Sequence, residues 1–351
     1  MLRSSGIASL LITTSLAALS GTALAHPAAG AQVCTLGAAA VGQPGSVLCK
    51  DVRTGATTQN IAVGNTVVGS GGTGGTLSHR HGAVLVANVA GGAILFEENS
   101  GRLQHPVTLQ TGGEDSLSGA IGERGAYVLT ATRVLFFPHG RSAAASSAHL
   151  LVGDGSAAQV ALAGGYAYVS EKTGSLEAFA LRADGNLAGT AAPVAGIPAG
   201  AVVGITGLED LIVSPVAHLA TNANQSTVPV SSGSALVQQV ATKEVAACWA
   251  ANDDGEVCIT NPGSMTVSCG HFGAGGFTSY TSAAANPIGE SVLDLDIRHG
   301  TVGILGTHNG ARVLMVYERS DDSSDFLTSM GELQVGTAVA TGALVLPPLS
   351  R

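Results

Sequence analysis

The sequence predicts an all-β protein folded as a seven-bladed β-propeller, with about four antiparallel strands in each blade. Three observations lead to this fold class. The 351 residues include 49 glycines and only 11% charged residues, and no strong helical pattern stands out. One stretch, residues 159–187, has the pattern of three short strands with tight turns between them. That pattern recurs along most of the chain every 41 to 46 residues, which is typical of propeller blades.

The stretch Gln159–Leu187 contains apolar runs separated by Gly-Gly, Lys-Thr-Gly and Ala-Asp-Gly-Asn. Glycine, aspartate and asparagine tolerate a positive φ and close tight turns, so each cluster predicts a chain reversal. The runs are rich in valine, tyrosine, phenylalanine and leucine, which favour strands. The stretch is therefore predicted to be a β-meander.

Seven copies of this meander are predicted, because a single blade cannot bury both of its faces and must stack on its neighbours. A β-sandwich would not need seven copies, and a parallel β-helix would use shorter repeats. The apolar run Ala338–Leu346 is expected to complete a blade begun at the other end of the chain. The recurring segments start at Val41, Val84, Tyr127, Tyr168, Leu211, Val257 and Val302.

The first 25 residues have the pattern of a secretory signal, and residues 26–351 are then one propeller domain. Arg3 precedes an apolar segment from Ile7 to Leu19, and Ala23-Leu24-Ala25 forms a small-x-small cleavage site. The apolar segment is shorter than the roughly 20 residues that span a membrane, and no later segment is as long and continuous. The mature protein is expected to be secreted, or periplasmic in a Gram-negative source, without a membrane span.

The composition excludes some partners. The formal net charge is −9 and no lysine or arginine cluster occurs, so nucleic-acid binding is not expected. No metal, phosphate or cofactor motif is present, so neither a cofactor nor a metal site is predicted. The protein is expected to be a monomer.

The five cysteines fit an oxidising compartment. Cys34 and Cys49 flank the first repeat and are predicted to form a disulfide. Cys248, Cys258 and Cys269 fall within one repeat, so two of them can pair and one is left over. No Cys-x-x-Cys occurs, and structural roles are expected for all five.

The fifth repeat departs from the others. A long polar insertion follows Leu211 and its neighbours, before a predicted strand from Ala235 to Val240. The insertion contains Asn224-Gln225-Ser226, which is an N-glycosylation acceptor if the source is a eukaryote.

Four segments resemble motifs of one known family in order and spacing. They are Gly112–Gly119, Gln159–Leu187, Ala247–Trp249 and Leu293–Leu295. The chain resembles the secreted members of the lactonase-type seven-bladed propeller family, which includes propeller 6-phosphogluconolactonases and fungal 3-carboxymuconate-cyclising enzymes. The resemblance covers most of the mature chain and implies hydrolysis or isomerisation of a small lactone. A lactone or sugar-like small molecule is therefore the expected ligand.

The sequence departs from this family at one position. Active-site interpretations of the family often rely on a histidine just before the Gln-Val strand, and Ala157 and Ala158 stand there in this chain. The acidic residue of the following turn, Glu171, is kept. The missing histidine removes a general base or a polarising donor.

Blade geometry predicts which residues face a ligand, because the innermost strand of a blade starts on the ligand face and the second-to-third-strand loop returns to it. The resemblance then implies that Glu171 acts as acid or base, while Lys172 and His308 stabilise developing negative charge. The expected ligand-binding residues on that face are Asp115, Ser116, Gln159, Asn261 and Asn309.

The remaining histidines are expected to be structural. His79-Arg80-His81-Gly82 and Arg298-His299-Gly300 occupy equivalent first-to-second-strand turns, on the opposite side of the predicted ring. Two functional hypotheses follow: a secreted lactonase-like enzyme, or a non-catalytic extracellular propeller that binds a ligand, glycan or protein through its loops. The fold alone does not choose between them.

Overall fold

The computed structural model describes residues 30–67, 76–208, 210–217, 227–241, 244–273, 276–282, 290–319 and 327–349. Within these ranges the regular structure consists of strands. No helix long and apolar enough to cross a membrane occurs in them. The signal segment 1–25 and the Asn224 acceptor lie outside the described residues.

The strands form seven sheets arranged as the blades of a β-propeller, numbered here along the chain. Blades 1 to 4 are regular, and their strands are given from the axis outward. Blade 1 consists of β30 (Val339–Leu346), β1 (Gln32–Ala38), β2 (Pro44–Asp51) and β3 (Thr57–Asn65). Blade 2 consists of β4 (Leu77–Arg80), β5 (Ala83–Val89), β6 (Gly92–Asn99) and β7 (Arg102–Gln110). Blade 3 consists of β8 (Ser116–Gly122), β9 (Gly125–Thr130), β10 (Arg133–Pro138) and β11 (Ser146–His149). Blade 4 consists of β12 (Ala157–Ala163), β13 (Tyr166–Glu171), β14 (Leu176–Ala180) and β15 (Ala192–Pro193).

Blades 6 and 7 are also four-stranded, whereas blade 5 has two further short strands. Blade 5 consists of β17 (Thr206–Leu208), β18 (Leu211–Val213), β20 (Thr227–Ser232) and β21 (Ala235–Ala241), with β16 (Ala201–Val202) and β19 (Val216–Ala217) attached through β20. Blade 6 consists of β22 (Ala250–Asp253), β23 (Glu256–Asn261), β24 (Thr266–Gly273) and β25 (Gly276–Ser282). Blade 7 consists of β26 (Ser291–Arg298), β27 (Thr301–His308), β28 (Ala311–Arg319) and β29 (Leu327–Gln334).

The ring closes in blade 1, where the two ends of the described chain share one sheet. Strand β30 supplies the innermost position and pairs antiparallel with β1, so that Gln32 faces Leu346 and Cys34 faces Leu344. The sequence-based expectation that Ala338–Leu346 contains the closing strand is thus confirmed.

The core lies between the blades rather than in one central mass. Seven apolar clusters of described residues each join two neighbouring blades, and together they run round the whole ring. Side chains of a strand point alternately to its two faces, so one strand serves two clusters. In β1, for example, Cys34 and Leu36 pack towards blade 2 while Val33 packs towards blade 7.

Two disulfides occupy matching places in different blades. Cys34–Cys49, as predicted from the sequence, joins the second and third strands of blade 1, and Cys258–Cys269 joins the second and third strands of blade 6. Cys248 is the remaining free cysteine of the described chain.

Deletion of residues 338–351 should strongly lower the melting temperature, because blade 1 would lose its innermost strand and two blade interfaces would be exposed. A milder test is Leu344→Ala, which removes a buried side chain of β30 and should cost about 2–5 kcal/mol of the free energy of unfolding. Thermal and urea unfolding followed by circular dichroism measure both.

The control for this prediction is Val41→Ala, since Val41 is 48% exposed and its substitution should change stability by less than about 0.5 kcal/mol. Equal stabilities for Leu344→Ala, Val41→Ala and the wild type would contradict closure through β30.

Candidate functional site

The seven innermost strands surround a central channel. A cavity of about 280 Å³ within it is lined by residues of β30, β4, β8, β12, β17, β22 and β26. Each of these strands is the edge of its sheet, so part of its backbone has no strand partner on the channel side. Such an edge needs other hydrogen-bond partners.

Polar side chains of neighbouring blades supply partners for these edges. The Oε1 of Gln159 accepts the N–H of Ile205 at 2.8 Å, and the Oδ2 of Asp296 accepts the N–H of Val345 at 2.7 Å. Each bond joins the inner strands of two adjacent blades. Three further bonds do the same: Ser118 Oγ accepts from Val160 N (3.2 Å), Asp294 Oδ2 accepts from Ala343 N (3.3 Å), and Asn252 Nδ2 donates to Gly207 O (2.6 Å).

One end of the cavity is charged. His79 and Arg80 end β4, Asp253 ends β22, and Asp296 and Arg298 lie in the last residues of β26; all five line the cavity. These strand ends lead into the first-to-second-strand turns. The cavity therefore offers both acidic and basic groups on that side of the ring.

His79 is a largely buried imidazole at this end of the cavity. Its Nε2 lies 3.1 Å from Arg298 Nη1 and 3.4 Å from Glu98 Oε2. Burial and the Arg298 charge lower the pKa of His79, against an opposing effect of Glu98. His79 is thus held towards its neutral form, in which Nε2 can accept a hydrogen bond from the guanidinium.

Asp296 is a channel carboxyl whose pKa is raised. Burial raises its pKa to about 7, with a further contribution from Asp253, against the hydrogen bonds from Val345 and Ile297 and the charge of Arg298. A carboxyl that exchanges a proton near neutral pH can donate or accept a hydrogen bond. Ser78, also in the cavity wall, has a buried Oγ with no hydrogen-bond partner in the described structure.

Among the residues predicted to bind a ligand, Gln159 lines this cavity. Asp115 and Ser116 lie at the start of β8 and connect blades 3 and 2. Asp115 accepts the N–H of Gly91 at 2.9 Å, and the buried Ser116 hydroxyl contacts the backbone of Val89 and Gly92. Neither of these two residues belongs to the cavity wall.

Glu171 is fully buried at the end of β13, beneath the segment that links blades 3 and 4. Its Oε2 accepts a hydrogen bond from Ser156 Oγ at 2.7 Å, while its Oε1 has no hydrogen-bond partner. Burial raises the pKa of Glu171 from its ordinary value of 4.5 to about 7, with contributions from Glu177 and Asp154. Lys172, by contrast, is exposed.

The other predicted residues lie in blades 6 and 7. The buried Asn261 donates through Nδ2 to Thr266 and Ser268, and its Oδ1 has no partner in the described chain. His308 Nδ1 lies 2.7 Å from Glu332 Oε2, and this contact raises the pKa of His308. Asn309 follows in a tight turn with φ of 50°.

The structure does not bring the predicted catalytic trio together around one cavity. Glu171 and Lys172 belong to blade 4 and its loop, whereas His308 belongs to blade 7, and none of the three lines the central channel. The polar channel end instead includes three residues that were expected in structural turns. His79, Arg80 and Arg298 in fact lie within β4 and β26, before the turns begin.

A sequence signal for this end did exist. Asp294, Asp296 and Arg298 alternate along one strand, so their side chains share one face. Three charged residues on one face of an innermost strand are difficult to place in an apolar blade interface, and they indicate a polar cavity.

Comparison with known proteins shows the fold alone. No protein family and no curated protein match the sequence. A Bacteroides fragilis protein with a provisional 6-phosphogluconolactonase assignment is similar in structure, with a TM-score of 0.59 and 12% identity over 91% of this chain and 98% of that one. AztD of Citrobacter koseri has a TM-score of 0.57 and 8% identity over 92% and 100% of the two chains. A Lactobacillus plantarum protein has a TM-score of 0.56 and 13% identity over 90% and 99%.

The raised pKa of Glu171 predicts a pH-dependent stability difference. A buried carboxyl whose pKa is raised stabilises the fold below its ordinary pKa, and this contribution is lost as the pH rises through the folded value. Relative to Glu171→Gln, the wild type should therefore lose unfolding free energy between about pH 4.5 and pH 7.

Urea unfolding of both proteins across this pH range measures the difference. Glu123→Gln is the control, because Glu123 is exposed. The difference in unfolding free energy between the wild type and this variant should stay constant with pH. A constant difference for Glu171→Gln as well would show that burial does not hold the proton on Glu171.

Proposed function

We propose that this propeller is an exported protein that binds a small polyhydroxylated molecule, of the sugar or sugar-lactone class, in its central channel. The observation that carries the proposal is the joint presence of Asp253, Asp296, Arg298 and His79 at one end of a cavity lined by all seven innermost strands. Export is supported by the signal-like N-terminal sequence and by the two disulfides.

The size of the cavity favours a small ligand. Its volume of about 280 Å³ is just below the usual range of about 300–1,000 Å³ for ligand pockets. A molecule with one sugar-like ring is of the appropriate size, whereas a polymer would have to bind outside the cavity.

The chemistry of the lining favours hydroxyl groups. A hydroxyl donates to a carboxylate and accepts from a guanidinium, and the charged end offers both through Asp296 and Arg298. The Ser78 hydroxyl has no hydrogen-bond partner in the described structure, and Gln159 adds an amide to the wall. Alternating donors and acceptors recognise a polyol better than an apolar molecule.

The structural neighbours support the same class of ligand in a limited way. The provisional assignment of the Bacteroides fragilis protein names a phosphogluconolactonase, whose substrate is a sugar lactone by name. At 12% identity this likeness carries no residue-level argument, so the ligand class rests on the cavity.

Lactone turnover through Glu171 is the second candidate, and one observation favours it. Glu171 has a pKa of about 7 and a carboxyl oxygen without a hydrogen-bond partner, which suits an acid or base near neutral pH. Because Glu171 is completely buried and bonded to Ser156, its surroundings must move before any substrate reaches it. Binding in the channel requires no such movement.

Calorimetric titration of the purified protein with aldonolactones, aldonic acids, neutral sugars and muconolactone-like compounds tests the proposal. Arg298→Ala and Asp296→Asn should each weaken binding of the same ligand roughly tenfold to a hundredfold, because each removes a hydrogen bond to a charged group worth about 1.5–3 kcal/mol.

Two control variants make this experiment discriminating. Arg102→Ala removes an exposed arginine at the start of the outer strand β7 and should leave affinity unchanged. Glu171→Gln should also leave affinity and any slow turnover unchanged. Lost turnover in Glu171→Gln, with normal affinity in Arg298→Ala, would reject the channel and support the lactonase alternative.

A further inference from the structure

Four potential metal ligands share one face of a two-stranded ladder in blade 6. Glu256 pairs with His271 and Cys258 pairs with Cys269 across β23 and β24. On each strand the two residues of this group are separated by one residue, so all four side chains point to the same side of the sheet. The ladder therefore presents two thiol sulfurs, a carboxylate and an imidazole as a two-by-two group.

Three of the groups are close enough to share an ion, and the imidazole lies beside the carboxylate. Ligand atoms of Glu256, Cys258 and Cys269 all lie within 4.8 Å of one another, and His271 Nε2 lies 4.0 Å from Glu256 Oε1. The carboxylate and both cysteines are fully buried, whereas the His271 side chain is 50% exposed and has room to adjust. Ligand atoms around a tetrahedral zinc ion are roughly 3–4 Å apart.

One carboxylate oxygen of Glu256 contacts an arginine of the neighbouring blade. Its Oε2 contacts Nη1 of Arg319, which lies on β28 of the neighbouring blade 7. A partner of this kind fixes the direction of a ligating carboxylate. In the structure the two sulfurs are joined as a disulfide, so the ladder is closed to a metal in this state.

We propose that blade 6 carries a redox-controlled site for a divalent transition metal of the zinc class, formed by Glu256, Cys258, Cys269 and His271 when the disulfide is reduced. A dithiol reductant breaks the Cys258–Cys269 bond by thiol–disulfide exchange and leaves as its own disulfide, so that two electrons and two protons reach the cysteines. Metal binding then releases the two thiol protons. Two thiolates, one imidazole and one carboxylate complete a tetrahedral shell.

Blade 1 provides an internal comparison. Its disulfide Cys34–Cys49 lies at the matching place, and the pair two residues away is Gln32 with Asp51. The Gln32 amide donates to Gly101 and Pro347, and Asp51 accepts from the turn that follows it. Blade 1 thus repeats the cysteine ladder with an amide where blade 6 has a carboxylate, and without a histidine.

The test is zinc binding by the full mature chain, oxidised or reduced by a water-soluble phosphine. The phosphine takes up water oxygen to become its oxide, and each disulfide becomes two thiols. Free zinc is followed with a chromophoric chelator, and cobalt substitution reports thiolate ligation through its charge-transfer absorption. The reduced protein should bind one tightly held ion more than the oxidised protein.

Matched variants locate the ion. Cys34→Ser/Cys49→Ser should keep this ion after reduction, and Cys258→Ser/Cys269→Ser, with the same number of thiols, should lose it. If a double variant does not fold, His271→Ala decides with native cysteines: it should weaken binding at least tenfold, while His105→Ala, at an exposed histidine of β7, should not.

Equal zinc binding by the oxidised and reduced proteins would overturn the proposal. So would retention of the ion by Cys258→Ser/Cys269→Ser, or an unchanged affinity in His271→Ala.

Discussion

The structure depends on the hydrogen bonds made by the backbone groups on the seven innermost sheet edges, which surround one axis. A strand at the edge of a sheet has backbone groups without a strand partner, and in a propeller the innermost edges face the axis. Here side chains of neighbouring blades bond several of these groups, as Asp296 does with the N–H of Val345 and Gln159 with that of Ile205. The same bonds hold adjacent blades in register. A polar channel is therefore a consequence of closing the ring, and it is available for a ligand.

Two carboxyl groups show how position separates a candidate site from a buried structural group. Burial raises the pKa of both Glu171 and Asp296 to about 7. Glu171 lies beneath the connection between blades 3 and 4, where Ser156 holds one of its oxygens. Asp296 lies in the wall of the cavity, with Arg298 two residues further along the same strand. A perturbed pKa indicates function only where a substrate can reach the group, and that requirement favours Asp296.

The two disulfides show how repeated blades diverge. Both join the second and third strands, in blade 1 and in blade 6, at equivalent positions of the ladder. In blade 1 the adjacent pair, Gln32 and Asp51, forms hydrogen bonds to the backbone that anchor the ring closure and a turn. In blade 6 the adjacent pair can ligate a metal. A repeat supplies the same backbone twice, and small changes of side chain then give each copy a separate chemistry.

The sequence by itself determined the class of fold, the number of blades, the closing strand and the Cys34–Cys49 pair. These features follow from local turn chemistry and from a period of about 45 residues. Both patterns can be recognised without knowledge of distant contacts. The tertiary structure decided which polar residues face one another. His79 of blade 2 meets Arg298 of blade 7 across a separation of 219 residues, and no local pattern encodes that contact. It also decided that Glu171 is enclosed, because the covering segment comes from the connection to the preceding blade. Turn position indicated the side of the ring for each residue, whereas burial and proximity to the axis arise only when seven blades close together.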